Sequence, residues 1–295
     1  MSRTGRPHVA SLLTLTLALA VLAGGAIERG MAAPAARIQI RGSDTMLRLV
    51  QLWAEAYMTS HPGVVVEVAG GGSGKGLRAL IRGDVDLASA SRPLAAAEAQ
   101  QLLERQGSLG FAVLTARDAL SVYLHPENPV TELSLDELRG VFSGTIRRWS
   151  EVGGDDAEIQ VLRRNPASGT HFFFGERVLG GGAYSRRARV LPTTGAIVDE
   201  VRRNVHAVGY GGMGYAEGVR PCVIEGVEPS AGTVRDGTYP IARYLYLYTA
   251  RPPRGPVREF LDWVLGSEGQ RLVTAAGHVA LYEPGQGSSS SGSPK

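Results

Sequence analysis

A short polar loop, residues 164–170 (RNPASGT), carries the side chains with the most evident chemistry. It lies between two apolar runs, residues 159–162 and 172–174, so we predict a strand, a loop and a helix. Ser168 or Thr170 can cap the helix, which leaves free N–H groups and the positive dipole end beside the loop's arginine. Two hydroxyls, several N–H donors and a guanidinium suit a tetrahedral oxyanion better than a carboxylate. Taken alone, the pattern also fits an ordinary capped helix with a surface arginine.

Three further strand–loop–helix junctions occur early in the chain. Their strands are predicted at residues 37–41, 64–68 and 86–90. The loops that follow are residues 42–45 (GSDT), 70–76 (GGGSGKG) and 91–94 (SRPL). Because the carboxyl ends of parallel strands meet at one edge of an α/β sheet, four such loops predict a shared anion site.

The first 33 residues are typical of a secretory signal peptide. Two arginines precede an apolar run at residues 11–23, and small residues follow up to a cleavage site predicted after Ala33 or Ala35. The run is too short for a membrane span, which needs about 20 residues. Removal of residues 1–33 takes away three arginines and one glutamate, so the formal net charge falls from +3 to +1. A charge so close to zero gives no support to nucleic-acid binding.

Cys222 is the only cysteine, so we expect no internal disulfide and no cysteine-rich metal site. Lipid-anchored exported proteins carry a cysteine at the signal junction, and this chain has none there. We therefore expect a soluble protein in the periplasm or outside the cell. The six histidines show no clustered spacing, and we predict neither a metal nor another cofactor.

Two glycine-rich motifs match nucleotide-binding patterns only in part. Residues 70–76 lack the first glycine and the last hydroxyl residue of a P-loop, because Ala69 and a glycine occupy those positions. Residues 209–214 (GYGGMG) have the spacing of a dinucleotide site, but no amphipathic helix follows, so we favour close packing of a glycine-rich strand. Ser73 or Ser168 could serve a hydrolase only beside a histidine and an acid, which the sequence does not indicate.

Two long β-rich segments, residues 111–124 and 239–249, are candidates for strands that cross between domains. Residues 133–142 predict an amphipathic helix that begins with a capping box of Ser134 and Glu137. Further helices are predicted at residues 46–58, 77–82, 95–106, 257–265 and 270–276. Residues 284–295 form a Ser/Gly-rich tail, which we expect to be disordered.

With these loops in order, residues 38–282 resemble the phosphate-binding proteins of bacterial phosphate ABC transporters (the PstS type). The four loops carry part of the resemblance, and the matching stretch of the third loop begins at Ala90. The other matching stretches are residues 133–138 (LSLDEL), 142–144 (FSG), 149–154 (WSEVGG) and 260–270 (FLDWVLGSEGQ). Each stretch is weak evidence by itself, but their order and spacing are specific.

The resemblance implies the two-lobed type II periplasmic-binding-protein fold, an α/β fold with mixed sheets flanked by helices and two crossing strands as a hinge. It implies a lobe 1 of residues 37–118 with residues 245–283, and a lobe 2 of residues 119–244. The lobes are expected to close on one inorganic phosphate and to deliver it to the membrane permease of a phosphate ABC transporter. We expect a monomer with no catalytic residues and no nucleic-acid partner.

The predicted phosphate-binding residues come from all four loops. They are Ser43, Asp44, Thr45, Met46 (through its backbone), Ser73, Ser91, Arg92, Arg164, Ser168, Gly169 and Thr170. The chain departs from the family at Ser91, where well-known members place an aspartate that accepts the phosphate's own P–O–H proton. We therefore expect Asp44 to reject fully deprotonated sulfate instead, because two facing acceptors repel. Arg92 is expected either to point inward or to pair with a surface acid.

Other functions share this fold and this kind of site. The anion could be sulfate, molybdate or a related oxyanion, and the protein could be a phosphate sensor or a surface adaptor without transport. A phosphoester hydrolase fits the sequence less well.

Overall fold

A computed structural model describes residues 36–283 of the chain. The predicted signal peptide, residues 1–33, and the predicted tail, residues 284–295, lie outside the described residues. Within the described part of the chain, no helix is both long enough and apolar enough to cross a bilayer.

Strands and helices alternate along most of residues 36–283. The strands are β1 (Ala36–Gly42), β2 (Val64–Ala69), β3 (Leu87–Ala90), β4 (Phe111–Leu124), β5 (Glu132–Leu133), β6 (Gln160–Arg164), β7 (Arg189–Leu191), β8 (Ala207–Gly212), β9 (Arg220–Pro221), β10 (Val223–Ile224) and β11 (Ala242–Thr249). The helices are α1 (Leu47–Ser60), α2 (Ser73–Arg82), α3 (Ala96–Gln106), α4 (Leu135–Ser143), α5 (Gly169–Arg177), α6 (Thr194–Arg203), α7 (Ala231–Arg235), α8 (Gly255–Leu265) and α9 (Ser267–Ala275). The predicted capping box of Ser134 and Glu137 opens α4.

The main sheet is parallel at both ends and antiparallel in the middle. Its order is β2-β1-β3-β11-β4-β8-β6-β7, and β9 also pairs with β4. β1 is parallel to β2 and β3, and β6 is parallel to β7 and β8. β11 is antiparallel to β3 and β4, and β4 is antiparallel to β8. The predicted α/β class, a mixed sheet flanked by helices, is confirmed.

The long strand β4 lies in the middle of this sheet and pairs with a different neighbour along each part of its length. Residues 111–119 pair with β11, whereas residues 120–124 pair with β8. We call β1–β3 with α1–α3, α8 and α9 the first half, and β6–β8 with α4–α7 the second half. β4 and β11 lie between the halves, in the two segments whose sequences are β-rich. The lobe boundaries given above stay a prediction.

Each half has its own hydrophobic core. In the first half, the buried Trp53 of α1 donates from Nε1 to the Gly269 carbonyl of α9 at 2.8 Å. In the second half, Phe174 of α5 stacks on Tyr210 of β8 and packs on Phe142 of α4, with ring centroids 4.2 and 4.6 Å apart. Burial of one such phenylalanine contributes about 1.5–3 kcal/mol. The aromatic contacts therefore fix α5 against the sheet.

Helix α2 begins at Ser73, four residues before the start predicted at Leu77. The N–H groups of Lys75 and Gly76 donate to the Gly72 carbonyl at 3.0 and 3.2 Å, so the glycine-rich segment already forms the first helical turn. The glycines lower the helix propensity of this turn, which is why the sequence suggested a loop. The longer helix places the Ser73 hydroxyl at the end of the sheet.

The glycine-rich residues of β8 let α6 pack directly on the strand. A Cβ atom on Gly211 would lie 2.3 Å from Thr194 Cγ2, which is closer than any real contact. The interpretation of this motif as a closely packed strand is confirmed. The contact also places Thr194 beside the end of β6.

Candidate anion-binding site

The four predicted loops lie at the carboxyl ends of β1, β2, β3 and β6, and the structure brings them together. The Ser91 N–H donates to Ser73 Oγ at 3.1 Å, which joins the third loop to the start of α2. The Gly74 N–H donates to the Ala167 carbonyl at 3.0 Å, which joins the first half to the fourth loop. Asp44 completes the junction from the first loop.

Arg164 is the last residue of β6, and its side chain is only 1% exposed. Its Nη2 donates to Asp44 Oδ2 at 2.6 Å, and its Nη1 donates to Thr194 Oγ1 at 3.0 Å. Its Nε is buried and has no hydrogen-bond partner among residues 36–283. An unpaired buried donor costs about 1–3 kcal/mol, so this N–H is available to a bound anion.

Asp44 follows β1 and contacts the second half at two points. Its Oδ2 receives the Arg164 hydrogen bond, while its Oδ1 accepts from the Gly71 N–H at 2.7 Å. Its backbone carbonyl accepts from Tyr215 Oη at 2.8 Å. Asp44 and Arg164 therefore form a largely buried ion pair between the halves. Loss of either partner from such a pair costs about 3–5 kcal/mol, because the other charge is left uncompensated.

Four buried hydroxyl groups make two contacts where the halves meet. Thr45 Oγ1 and Thr170 Oγ1 lie 2.8 Å apart, so one hydrogen bond joins the first loop to α5. Ser73 Oγ and Ser91 Oγ lie 3.5 Å apart within the first half. Each hydroxyl has one proton and two lone pairs, so a pair that shares one proton keeps the other for a ligand.

The first turn of α5 faces these hydroxyls. Ser168 Oγ accepts from the His171 N–H at 3.3 Å, so the cap is Ser168 rather than Thr170. A Cβ atom on Gly169 would lie 2.2 Å from Ser73 Oγ, so only a glycine allows this approach of the helix to the first half. The N–H groups of Gly169 and Thr170 have no acceptor within the helix, and they carry its positive dipole end.

Ser43 and Met46 are buried, and their backbones brace the first loop. The Ser43 N–H donates to the Ser89 carbonyl at 2.9 Å. The Met46 N–H donates to the Ser43 carbonyl at 3.2 Å, and the Met46 side chain lies in the first-half core. The Met46 N–H therefore already donates a hydrogen bond within the loop. The phosphate contacts expected of Ser43 and Met46 stay predictions.

Arg92 requires a correction, because its side chain does not face the anion site. Its Nη1 and Nη2 donate to the two carboxylate oxygens of Glu98, each at 2.7 Å. The guanidinium also lies over the Phe172 ring, 4.8 Å from its centroid. Glu98 accepts from the Ala95 N–H at the start of α3, so it is held where it can pair with Arg92. Of the two expected positions, the one paired with an acid is found.

Two charged residues beside the site were not predicted, Arg243 of β11 and Asp118 of β4. Both side chains are buried, and Arg243 Nη2 donates to Asp118 Oδ2 at 2.7 Å. Burial alone would raise the pKa of Asp118, but the Arg243 charge and a hydrogen bond with His278 hold that pKa below its usual value. The sequence did contain a signal for this pair, because Asp118 and Arg243 are charged residues within the two β-rich segments. Charged residues are buried in a sheet almost only when they are paired.

His171 lies on α5 and adds no charge to the site. Burial lowers its pKa to about 4, assisted by the positive charges of Arg163 and Arg164. Its ring stacks on the Tyr184 ring with centroids 4.4 Å apart. The imidazole is therefore neutral near pH 7.

Together these residues favour capture of a small oxyanion. The site combines a buried guanidinium, paired hydroxyls and the start of a helix, and all of them are hydrogen-bond donors. The donors come from both halves, so an anion between them would be enclosed.

The chain matches the family model described as a PBP superfamily domain over residues 29–268. It is 31% identical over 263 residues to the phosphate-binding protein PstS of Pseudomonas aeruginosa, covering 81% of each chain. It is 30% identical over 249 residues to the phosphate-binding protein PstS of Bacillus subtilis, covering 83% of this chain and 81% of the relative.

Two solved structures are similar over most of the chain. One is a Clostridium perfringens structure with bound phosphate, of a protein assigned as a phosphate ABC transporter substrate-binding protein; its TM-score is 0.78 at 28% identity, covering 83% of this chain and 100% of that one. The other is an ABC-type phosphate transport receptor from Vibrio cholerae, with a TM-score of 0.70 at 28% identity, covering 82% and 99%. The residues matched by the family model include all four loops and Arg243.

Proposed function

Because the chain belongs to the PBP superfamily and, within it, to the family of phosphate-binding proteins, we propose that it captures inorganic phosphate between two lobes. It then delivers the ion to the permease of an ABC transporter. It acts as a monomer outside the cytoplasmic membrane, in the periplasm or at the cell exterior. The family consists of transport receptors, so the proposed role includes no catalytic step.

One observation carries the proposal: buried donors from both halves meet at the carboxyl ends of the strands. Thr45 and Thr170 place hydroxyls from opposite halves 2.8 Å apart. Arg164 contributes a buried guanidinium whose Nε has no partner within the described part of the chain, and Gly169 and Thr170 contribute N–H groups at the start of α5. A tetrahedral anion presents four oxygens, which can accept from several of these donors at once.

The mechanism is closure of the two lobes on the ion. In this mechanism, the contacts that join the halves, among them Asp44–Arg164 and Thr45–Thr170, belong to the closed state. Phosphate stabilises the closed state because it accepts hydrogen bonds from both sides. β4 and β11 are the hinge, since they lie between the halves.

Selectivity for phosphate is assigned to Asp44. Phosphate keeps at least one P–O–H proton over the physiological range, whereas sulfate has none. Asp44 accepts from Gly71 and Arg164, and each carboxylate oxygen can accept a second hydrogen bond. A phosphate O–H can supply that bond, but a sulfate oxygen facing the carboxylate leaves two repelling acceptors.

Equilibrium dialysis of the purified protein with radiolabelled phosphate tests the proposal. We expect saturable binding of one phosphate per chain, displaced by unlabelled phosphate. Arg189 of β7 offers a control, since its side chain is exposed and pairs with Glu200; we expect its substitution by alanine to leave this binding unchanged. Absence of saturable binding would contradict the proposed function.

A further inference from the structure

Arg243 and Asp118 face each other across the two strands that lie between the halves. In the register of β11 with β4 they are a directly opposed pair. Arg243 Nη2 and Nε donate to Asp118 Oδ2 at 2.7 and 3.0 Å, and the side chains are 1% and 0% exposed. Two hydrogen bonds to one buried carboxylate fix the plane of the guanidinium.

The remaining nitrogen of this guanidinium reaches the candidate site. Arg243 Nη1 donates to the Ser91 carbonyl at 3.3 Å and to Thr170 Oγ1 at 3.1 Å. Ser91 belongs to the third loop of the first half, and Thr170 belongs to the first turn of α5 in the second half. One side chain therefore touches the hinge strands and both sides of the site.

The contact with Thr170 determines how that hydroxyl can be used. An arginine N–H can only donate, so Thr170 Oγ1 accepts from it. The hydroxyls of Thr45 and Thr170 carry one proton each, and the hydrogen bond between their oxygens uses only one of these two protons. Because Arg243 occupies an acceptor position on Thr170, the remaining proton of the pair points away from Arg243.

We propose that Arg243 is a positioning residue for phosphate capture: it orients the Thr170 hydroxyl and ties α5 to the hinge strands when the lobes are closed. The inference rests on the proposed function. The contacts of Arg243 with Asp118 and Ser91 do not cross to the second half, whereas the contact with Thr170 does and is lost on opening. Asp118 balances the Arg243 charge, so the residue acts through geometry rather than through added charge.

A double-mutant cycle on phosphate affinity tests this role. Arg243→Lys keeps a positive charge opposite Asp118 but loses the planar fork that reaches Thr170. Thr170→Val removes the hydroxyl at nearly constant volume. We expect Arg243→Lys to weaken phosphate binding about tenfold in the otherwise unmodified chain. In the Thr170→Val chain it changes affinity by no more than about twofold, because the contact is already absent.

Two further variants provide a replacement for Arg243→Lys and a control. Asp118→Asn combined with Arg243→Gln removes both charges together, and it takes the place of Arg243→Lys in the cycle if that variant does not fold. Arg258→Lys is the matched control, since Arg258 is a 60%-exposed residue of α8 that pairs with Asp262. We expect this control to bind phosphate within about twofold of the unmodified chain.

Failure of the positioning role and failure of the proposed function give different results. Equal weakening in both Thr170 backgrounds, or no weakening in either, overturns the positioning role while the unmodified chain still binds phosphate. If the unmodified chain binds no phosphate, the proposed function fails, and the inference fails with it.

Discussion

Arg164 and Arg243 are both buried, and each is balanced by a buried or nearly buried carboxylate. A buried ion pair is weak support for stability, because desolvation offsets much of the attraction. Their placement is better explained by ligand binding. Each guanidinium contacts a hydroxyl or a carboxylate that belongs to the other half or to a site loop.

Replacement of Arg164 by alanine should weaken phosphate binding by about 2–5 kcal/mol, because it removes a buried charge and leaves Asp44 unpaired. Isothermal titration calorimetry measures the change. Arg189→Ala, on the neighbouring strand β7, is the control, since Arg189 is exposed and pairs with Glu200. Unchanged affinity in Arg164→Ala would exclude this residue from the site.

Replacement of Asp44 by asparagine should reduce the preference for phosphate over sulfate by about tenfold or more. The asparagine side chain can donate to a sulfate oxygen, so the repulsion between two acceptors is relieved. Competition of sulfate against bound phosphate gives the ratio of affinities. If the ratio in Asp44→Asn equals that of the unmodified chain, selectivity resides in other residues.

His171 should make stability depend on pH between about 6.5 and 4. Its pKa is lowered from 6.5 to about 4 on folding, so the unfolded chain takes up a proton over this range and the folded chain does not. The titration of His171 therefore leaves the free energy of unfolding unchanged above pH 6.5, and this free energy decreases as the pH falls from 6.5 towards 4. In urea unfolding, His171→Gln should flatten this part of the curve, and an unchanged pH dependence would contradict the assignment.

At the scale of single elements, α5 connects the core to the site. Its inner face carries Phe174, which stacks on Tyr210, and its first turn carries Ser168, Gly169 and Thr170. The aromatic anchor and the site residues are only one turn apart. A small shift of this helix therefore moves several donors at once.

Gly169→Ala should weaken phosphate binding by about tenfold or more, because the new Cβ would lie 2.2 Å from Ser73 Oγ and push α5 away from the first half. Gly175→Ala in the same helix is the matched control, since its nearest neighbour would be 3.6 Å from the Cβ. Calorimetry compares the two variants. Equal affinities would show that the close approach of α5 is not needed.

At the scale of the molecule, the sequence predicts what is local and misses what depends on register. Arg164 and Ser168 lie in one short loop, so residue types and spacing were enough to predict that they lie together at one strand–helix junction. Arg243 and Asp118 lie 125 residues apart, and only the pairing of β11 with β4 brings them together. The direction of Arg92 was open for a different reason: its partner Glu98 is only six residues away, but the pairing depends on the hydrogen bond that holds Glu98 at the start of α3.

The alternation of strands and helices was also predictable, as were the two β-rich segments between the halves. The start of α2 was not, since the glycines that lower helix propensity are held in a turn by the Gly72 carbonyl. In the proposed mechanism, the two halves and the strands between them act together when the halves close on an anion. The contacts of Asp44 with Arg164 and of Thr45 with Thr170 lie at the ends of these strands, as that mechanism requires.

Selection of phosphate by this closed site can be measured in one calorimetric experiment. The purified protein is titrated with phosphate and with sulfate between pH 5 and pH 8. We predict one phosphate bound per chain and much weaker binding of sulfate across the range. Sulfate binding of comparable strength, or no binding of phosphate, would show that the site does not select phosphate.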